Sequence, residues 1–343
     1  MLYIEPESKD AAFHFSAEEY IVRDYPWDEP VMMVWQADRC AMLGCNQIAQ
    51  AEIDMDFAKH AGIQIIRRSS GGGTIYTDMG TLLYTVIVPY TEDRYPPDIA
   101  KEDVAGPVVG ALNMMGIHAV AEGRNDLIID GRKISGLAQY IRHGRICTHG
   151  SLLYNTDLET LARVLRGDGD KIRSGAVRSV RSRVTNIIEH MDNPRSIEEF
   201  LGLFKQNLFR GRVFRERSLS EDDFVQIDRI YQQRYGNPSW TFTQSPKYTF
   251  HNSKRFTGGR VEIFLDVARG VVTSCSIRGD FLGVTPIRGL ELELENILFQ
   301  YNDFYKALCG IPLQPYLGSI TADEFLSGIF MCCGAESHVM ERR

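Results

Sequence analysis

The sequence predicts an α+β protein of two domains, a large one of mixed sheets and flanking helices over residues 1–245 and a small α+β one over residues 246–343. Its 343 residues exceed what one hydrophobic core comfortably organises. Up to about residue 190, short β-type runs mix with helical patterns, without a fixed-period repeat or low-complexity tract. Between 236 and 259 the chain is punctuated by Gly236, Pro238, Pro246, Gly258 and Gly259, which reads as a boundary or linker.

The elements follow in order. Gly62–Arg67 and Thr81–Val88 are rich in branched apolar residues and bounded by turn formers, so both read as buried strands around a glycine loop. Ile99–Met115 carries Val104, Val108, Val109 and Leu112 at helical spacing. Asp126–Asp130 and Arg132–Ile141 flank the Asp130-Gly131 turn as a hairpin. Arg145–Tyr154 is a further strand leading into a helix over Asp157–Arg166. Ser196 with Glu199 has the form of a capping box for a helix to Phe209, and Ser220 with Asp223 echoes it before a helix to Tyr235. Val261–Val267 and Val271–Ile277 form a hairpin around Ala268-Arg269-Gly270, followed by helical patterns at about 288–309 and 321–331.

Composition narrows the function classes. A formal net charge of −7, from 38 Lys+Arg against 45 Asp+Glu, argues against attraction of the whole protein to nucleic acid or anionic membrane. Any anion site must therefore be local. The longest apolar stretch, Leu82–Tyr90, is about half the roughly 18 residues a membrane helix needs, and no signal pattern opens the chain. A cytoplasmic protein is expected. Cys40, Cys45, Cys147, Cys275, Cys309, Cys332 and Cys333 form an odd set with no C-x-x-C pair, so they read as small hydrophobes.

Four segments carry chemistry. In RRSSGGGTIYTDMG, residues 67–80, three consecutive glycines follow Arg67 and Arg68. Backbone N–H groups without Cβ neighbours can approach an anion, and the arginines can grip phosphate or carboxylate; a flexible hairpin loop is the plainer alternative. The loop matches neither the P-loop nor the Rossmann fingerprint. In GRNDLIIDGRKISGLAQY, residues 123–140, Lys133 sits in apolar alternation, so its ammonium is held by a strand and can neutralise a developing charge. Asn125 and Asp126 can orient a polar ligand or bind a cation, although Asn-Asp before a strand is also turn chemistry. In THGSLL, residues 148–153, His149 reads as structural or as a base, and Cys147 two positions away can share its side of a strand as a Cys-His pair. KIRSGAVRSVRSRVTN, residues 171–186, is the most basic stretch; it is either a solvated face or a loop over a polyanion.

Taken in order, these segments resemble the lipoate-protein ligase A family, through Arg67–Gly73, Gly123–Asp126 with Lys133, His149–Leu153 and Ser179–Asn186. The likeness continues past residue 260, where GGRVEIFLDVARGVVTSCSIRGDFLG is similar to that family's accessory domain. It implies a catalytic domain of the biotin and lipoate ligase fold over 1–245, binding lipoate and ATP, with the accessory domain over 246–343. It also implies Mg²⁺, held mainly through ATP, for which Asp126 is a candidate contact. Lipoate would attack the α-phosphate of ATP to give lipoyl-adenylate and pyrophosphate. A lysine of a lipoyl domain of a 2-oxoacid dehydrogenase complex, or of the glycine-cleavage H protein, would then take the lipoyl group.

The resemblance makes Lys133 the catalytic residue and assigns substrate and ATP binding to Arg68, Ser70, Gly71, Gly72, Gly73, Thr74, Ile75, Tyr76, Thr77 and Asp78. It adds Asn125, Asp126, Ser135, Gly136, His149, Gly150, Ser151, Arg181 and Arg183. Residues 179–186 would belong to a loop that closes over the adenylate. Four positions depart from the family pattern: Cys45 replaces an arginine, Thr77 a histidine, Thr81 an asparagine, and Thr148 the first of two histidines. Two rivals remain at this stage. One is an octanoyl- or lipoyl-transferase of the same fold working through a cysteine thioester, for which Cys147 is the nearby thiol; the other is a non-catalytic nucleic-acid-binding module.

Overall fold

The computed structural model describes residues 1–26, 29–165, 182–211, 213–242 and 248–330. Its strands are β1 (Leu2–Ile4), β2 (Val31–Trp35), β3 (Cys40–Leu43), β4 (Gln64–Arg67), β5 (Ile75–Thr77), β6 (Thr81–Pro89), β7 (Val120–Glu122), β8 (Asp126–Ile129), β9 (Arg132–Arg142), β10 (Arg145–Leu153), β11 (Arg215–Glu216), β12 (Phe250–Phe256), β13 (Gly259–Ala268) and β14 (Val271–Gly279). The helices used below are α1 (Ala11–Arg23), α2 (Gly106–Met114), α3 (Leu158–Val164), α4 (Ile197–Leu208), α5 (Glu221–Ile230), α6 (Arg288–Glu293), α7 (Tyr301–Cys309) and α8 (Ala322–Phe330). Among these residues no helix is long and apolar enough to cross a membrane.

The chain forms two compact units. The larger comprises Met1–Leu43, Gln50–Arg68 and Ile75–Thr241; the smaller comprises Gly44–Ala49, Ser69–Thr74 and the chain from Phe242 onward. Two short N-terminal loops thus belong with the C-terminal unit, which a linear division of the sequence does not anticipate.

In the larger unit an eight-stranded sheet runs β11-β1-β2-β6-β10-β9-β8-β7 among the described residues, parallel from β11 to β2 and antiparallel beyond. Both faces are covered at its centre, which explains why β2 is apolar without interruption and β6 nearly so. Along β6, Leu82, Tyr84, Val86 and Val88 pack with Val108 and Leu112 of α2 and Phe200 and Phe204 of α4. Leu83 and Ile87 point the other way, toward Phe15 and Ile21 of α1 and Ile227 of α5. A second sheet, ordered β4-β3-β5, adds Cys40, Met42 and Ile66 to this second cluster.

Local chemistry sets the turns and ends. Asp130 and Gly131 have φ of 49° and 72°, as a two-residue turn matching the twist of β8 and β9 demands. Asp157 caps α3 through the N–H groups of Glu159 and Thr160. Both capping boxes form, Ser196 with Glu199 and Ser220 with Asp223. The helix expected over Ile99–Met115 begins earlier, at Pro96, and includes a π-helical stretch at Ala100–Ala105 before α2.

The smaller unit packs the sheet β12-β13-β14 beneath α6, α7 and α8. Its first strand lies inside the stretch read as a linker. Apart from its terminal phenylalanines β12 is polar, and as an edge strand it lacks the alternation that marks a buried one. The helical pattern at 288–309 is interrupted after Glu293, where Val272 and Asn296 exchange backbone hydrogen bonds with the 296–297 stretch and β14. Cys40, Cys147 and Cys275 are buried as expected, whereas Cys45 is half-buried and Cys309 exposed, and none of these five forms a disulfide. Cys332 and Cys333 lie outside the described residues.

Candidate active site

Lys133 rises from β9 with Nζ 2.7 Å from Oδ1 of Asp126, the first residue of β8. Both side chains are 37% exposed, so the pair is open to solvent and to ligand. The pairing of β9 with β10 stops at Leu137–Gly150. Beside Lys133 the vacant lane is taken by the 184–185 segment: Val184 bridges Lys133 in parallel, and Thr185 N–H donates to the Lys133 carbonyl at 3.0 Å. Asn186 fixes that segment, its amide accepting from Thr156 N–H at 3.0 Å and donating to the Thr156 carbonyl at 2.9 Å. The end of the basic stretch is therefore anchored against the strand that carries Lys133. Arg183 is exposed there, while Arg181 and residues 166–180 lie outside the described residues.

The neighbouring residues set the shape around Lys133. A Cβ at Gly136 would stand 3.0 Å from Lys133 Nζ, so the glycine leaves the path of the lysine chain clear. Gly150 similarly yields to Tyr84, whose hydroxyl would be 2.4 Å from an added Cβ and which bonds Ser135 Oγ at 3.1 Å. Asn125 clamps β9, its amide donating to the Leu137 carbonyl at 2.9 Å while its own carbonyl accepts from Leu137 N–H at 2.8 Å. Ser151 is buried on β10, two residues from His149 and on the same face.

His149 is buried, with Nδ1 3.1 Å from both carboxylate oxygens of Glu18 on α1. Cys147 does share its side of the strand, within 4.8 Å of both groups. The pair is not an activated nucleophile: burial, reinforced by the Glu18 charge, pushes the Cys147 thiol well above its ordinary range. Glu18 is the residue the sequence reading missed. Its one signal was the acidic Glu18-Glu19 pair within a largely apolar helix.

The glycine loop is built by three different demands, all within the smaller unit. Gly71 has no room for a Cβ, which would meet the Phe281 carbonyl at 2.7 Å; Gly72 has φ of 89°; nothing lies within 4 Å of a Cβ at exposed Gly73. At Gly73 neither crowding nor a positive φ calls for glycine. Gly72 N–H donates to the Phe281 carbonyl at 3.1 Å, and Gln47 Oε1 accepts from Gly44 N–H and the Thr74 hydroxyl, both at 2.8 Å. Ser70 is fully buried, its carbonyl accepting from Cys45 N–H at 2.9 Å. In the larger unit, Ile75, Tyr76 and Thr77 form β5, and Asp78 accepts from the Gly80 and Asp157 N–H groups. Thr81 is absorbed by a 2.8 Å contact with Thr156.

Both arginines are buried and donate to backbone carbonyls. Arg67 is 1% exposed and its guanidinium donates to the Trp240 and Thr241 carbonyls, with Trp240 Nε1 donating back to the Arg67 carbonyl. It is a staple, not a phosphate grip. Arg67→Ala should cost about 2–4 kcal/mol in urea denaturation by stranding those carbonyls; unchanged stability with lost activity would return it to the ligand. Arg68 is also buried and donates to the Met42 carbonyl at 2.8 Å. A separate cavity of about 530 Å³ beside Val184 is lined, among the described residues, by Asp157, Glu159 and Glu189 as well as Arg132.

Residues 10–209 match the lipoyl protein ligase A/B catalytic domain, and residues 245–329 match the bacterial lipoate protein ligase C-terminus. The chain belongs to the lipoate-protein ligase A/B family. Within that family it is 33% identical to a lipoate-protein ligase of Bacillus subtilis, over 96% of this chain and 100% of the relative. Among solved structures, P. falciparum LipL1 in complex with lipoate superposes with a TM-score of 0.77 over 95% of this chain and 98% of that one, at 20% identity. A bipartite lipoate protein ligase with its E2 lipoyl domain from Thermoplasma acidophilum gives 0.65 at 27% identity, over 72% and 97%. A lipoate-protein ligase A bound with ATP gives 0.60 at 26%, over 70% and 97%.

Proposed function

We propose that the chain activates lipoate with ATP at Lys133 and transfers the lipoyl group to a lysine of an acceptor domain. The observation that carries this reading is the placing of Lys133, a strand-held cation with Asp126 on one side and the anchored 184–186 segment on the other. Two anionic reactants must meet there, and a fixed ammonium offsets the charge that builds as the lipoate carboxylate attacks the α-phosphate. Pyrophosphate leaves, and the acceptor lysine then attacks the mixed anhydride, releasing AMP.

Along the face shared by Gly136, Ala138, His149 and Ser151 the side chains nearest Lys133 are small, which leaves a lane for an acyl chain. Burying four or five methylenes contributes roughly 3–4 kcal/mol, which anchors the acid while charges act on its carboxylate. The 182–186 segment with Arg183 is proposed to line the adenylate, within a catalytic domain at 1–245 served by an accessory domain at 246–343. Mg²⁺ is proposed to ride on the ATP phosphates and neutralise them. Asp126, a carboxylate beside Lys133, suits such an ion, which takes few protein ligands.

The ATP-bound and lipoate-bound relatives support the substrates. The E2 lipoyl domain paired with the archaeal ligase supports lipoyl domains as acceptors, and the H protein offers a lysine of the same chemistry. A cytoplasmic setting is part of the proposal. The test is pyrophosphate exchange: label should enter ATP only when lipoate is present, and a lipoyl domain should gain one lipoyl group only with both. Exchange without lipoate dependence would overturn the proposal. The transferase alternative requires an acyl-thioester, so Cys147→Ser is expected to keep most ligase activity and no thioester should be trapped. A stable acyl adduct on Cys147, detected by mass spectrometry, would favour the transferase.

A further inference from the structure

We propose that Glu18, Cys147 and His149 form a binding site for a thiophilic divalent cation of the zinc type, set between α1 and the central sheet. Among the described residues they are the one group of three metal-ligating side chains whose donor atoms all lie within 4.8 Å of one another. All three are buried, unlike the exposed acidic clusters that surfaces commonly carry. Tetrahedral zinc with bonds of about 2.0–2.1 Å to N and O and 2.3 Å to S holds its donors roughly 3.3–3.6 Å apart. The 3.1 Å between His149 Nδ1 and each Glu18 oxygen is already close to that spacing.

Two further observations point the same way. Tyr140 faces Cys147 across the β9–β10 register, is 3% exposed, and has a buried hydroxyl without a hydrogen-bond partner, so a fourth oxygen is available beside the three donors. Thr85 Oγ1 donates to Glu18 Oε2 at 3.0 Å and orients the carboxylate, the kind of outer hydrogen bond that fixes metal ligands. The charges balance: a thiolate and a carboxylate neutralise a 2+ ion, the Cys147 proton leaving to solvent and the imidazole proton vacating Nδ1. A bound cation also removes the cost of keeping a thiol, an imidazole and a carboxylate together away from water. The donor set of one sulfur, one nitrogen and one carboxylate suits zinc or cobalt rather than magnesium or calcium.

Cobalt(II) is the probe, added to chelator-stripped, reduced protein and followed to equilibrium by absorption. The expected result is a sulfur-to-cobalt charge-transfer band together with the intense visible bands of a four-coordinate ion. Both should saturate at one equivalent and be bleached by Zn²⁺. Cys147→Ser should abolish the charge-transfer band while the circular dichroism stays native, and a protein with Cys45, Cys309, Cys332 and Cys333 all changed to Ser should retain it. Should Cys147→Ser fail to fold, Glu18→Gln carries the same test, with cobalt affinity expected to fall at least tenfold. No saturable spectrum, a band surviving in Cys147→Ser, or unchanged affinity in Glu18→Gln would each overturn the site.

Discussion

Lys133→Met is expected to lower lipoyl-adenylate formation by about 10²- to 10³-fold, the usual cost of losing one preorganised charge-stabilising donor. The fold should be indifferent to the change. The ammonium and its Asp126 partner are each 37% exposed, and ion pairs so open to solvent contribute little to stability. The backbone of Lys133 does the structural part, holding the 184–185 segment through its carbonyl, and methionine preserves that bond. Lys133→Arg should also fail to restore the rate, because a planar fork on a longer arm does not deliver a compact charge to the same point. Pyrophosphate exchange measured beside circular dichroism checks both. Native dichroism with near-normal exchange would remove Lys133 from the chemistry.

What could be read in the sequence was local, and what could not was remote. The β8–β9 and β13–β14 hairpins were legible because Asp130-Gly131 and Arg269-Gly270 take the positive φ that such turns need. The capping boxes at Ser196 and Ser220 were legible because their partners are three residues away. The partnership of Glu18 with His149 spans 131 positions, and the stapling of Trp240 and Thr241 by Arg67 spans 173 and 174. No periodicity records contacts of that range. Arg67 and Arg68 looked equivalent as a pair, yet adjacent residues on a strand point to opposite sides, and the guanidinium of Arg67 is spent on backbone carbonyls. The three glycines pointed to ligand approach, but their separate causes became visible only once Phe281, more than two hundred residues on, lay against Gly71 and Gly72.

Gly136→Ala should reduce adenylate formation by about 10- to 10²-fold without touching any charged residue. The added methyl would lie 3.0 Å from Lys133 Nζ and 3.1 Å from Cε, well inside the ~3.5–4.0 Å at which such atoms rest. Lysine is flexible, so the strain is relieved by moving the ammonium rather than the sheet. Alanine is otherwise welcome at a strand position, since it reduces the freedom of the unfolded chain relative to glycine. Thermal stability should therefore hold or rise while the rate falls, because a misplacement of about 1 Å can cost as much as 10²-fold in a positioned reaction. Gly150→Ala makes the contrast. Its Cβ would meet the buried Tyr84 ring at 2.4–2.9 Å, where nothing can swing aside, so that variant should lose about 1–3 kcal/mol of stability. If Gly136→Ala keeps the full rate while Lys133→Met does not, the lysine reaches the reacting atoms by a path that never crosses Gly136, and the Asp126-paired position is only where it waits.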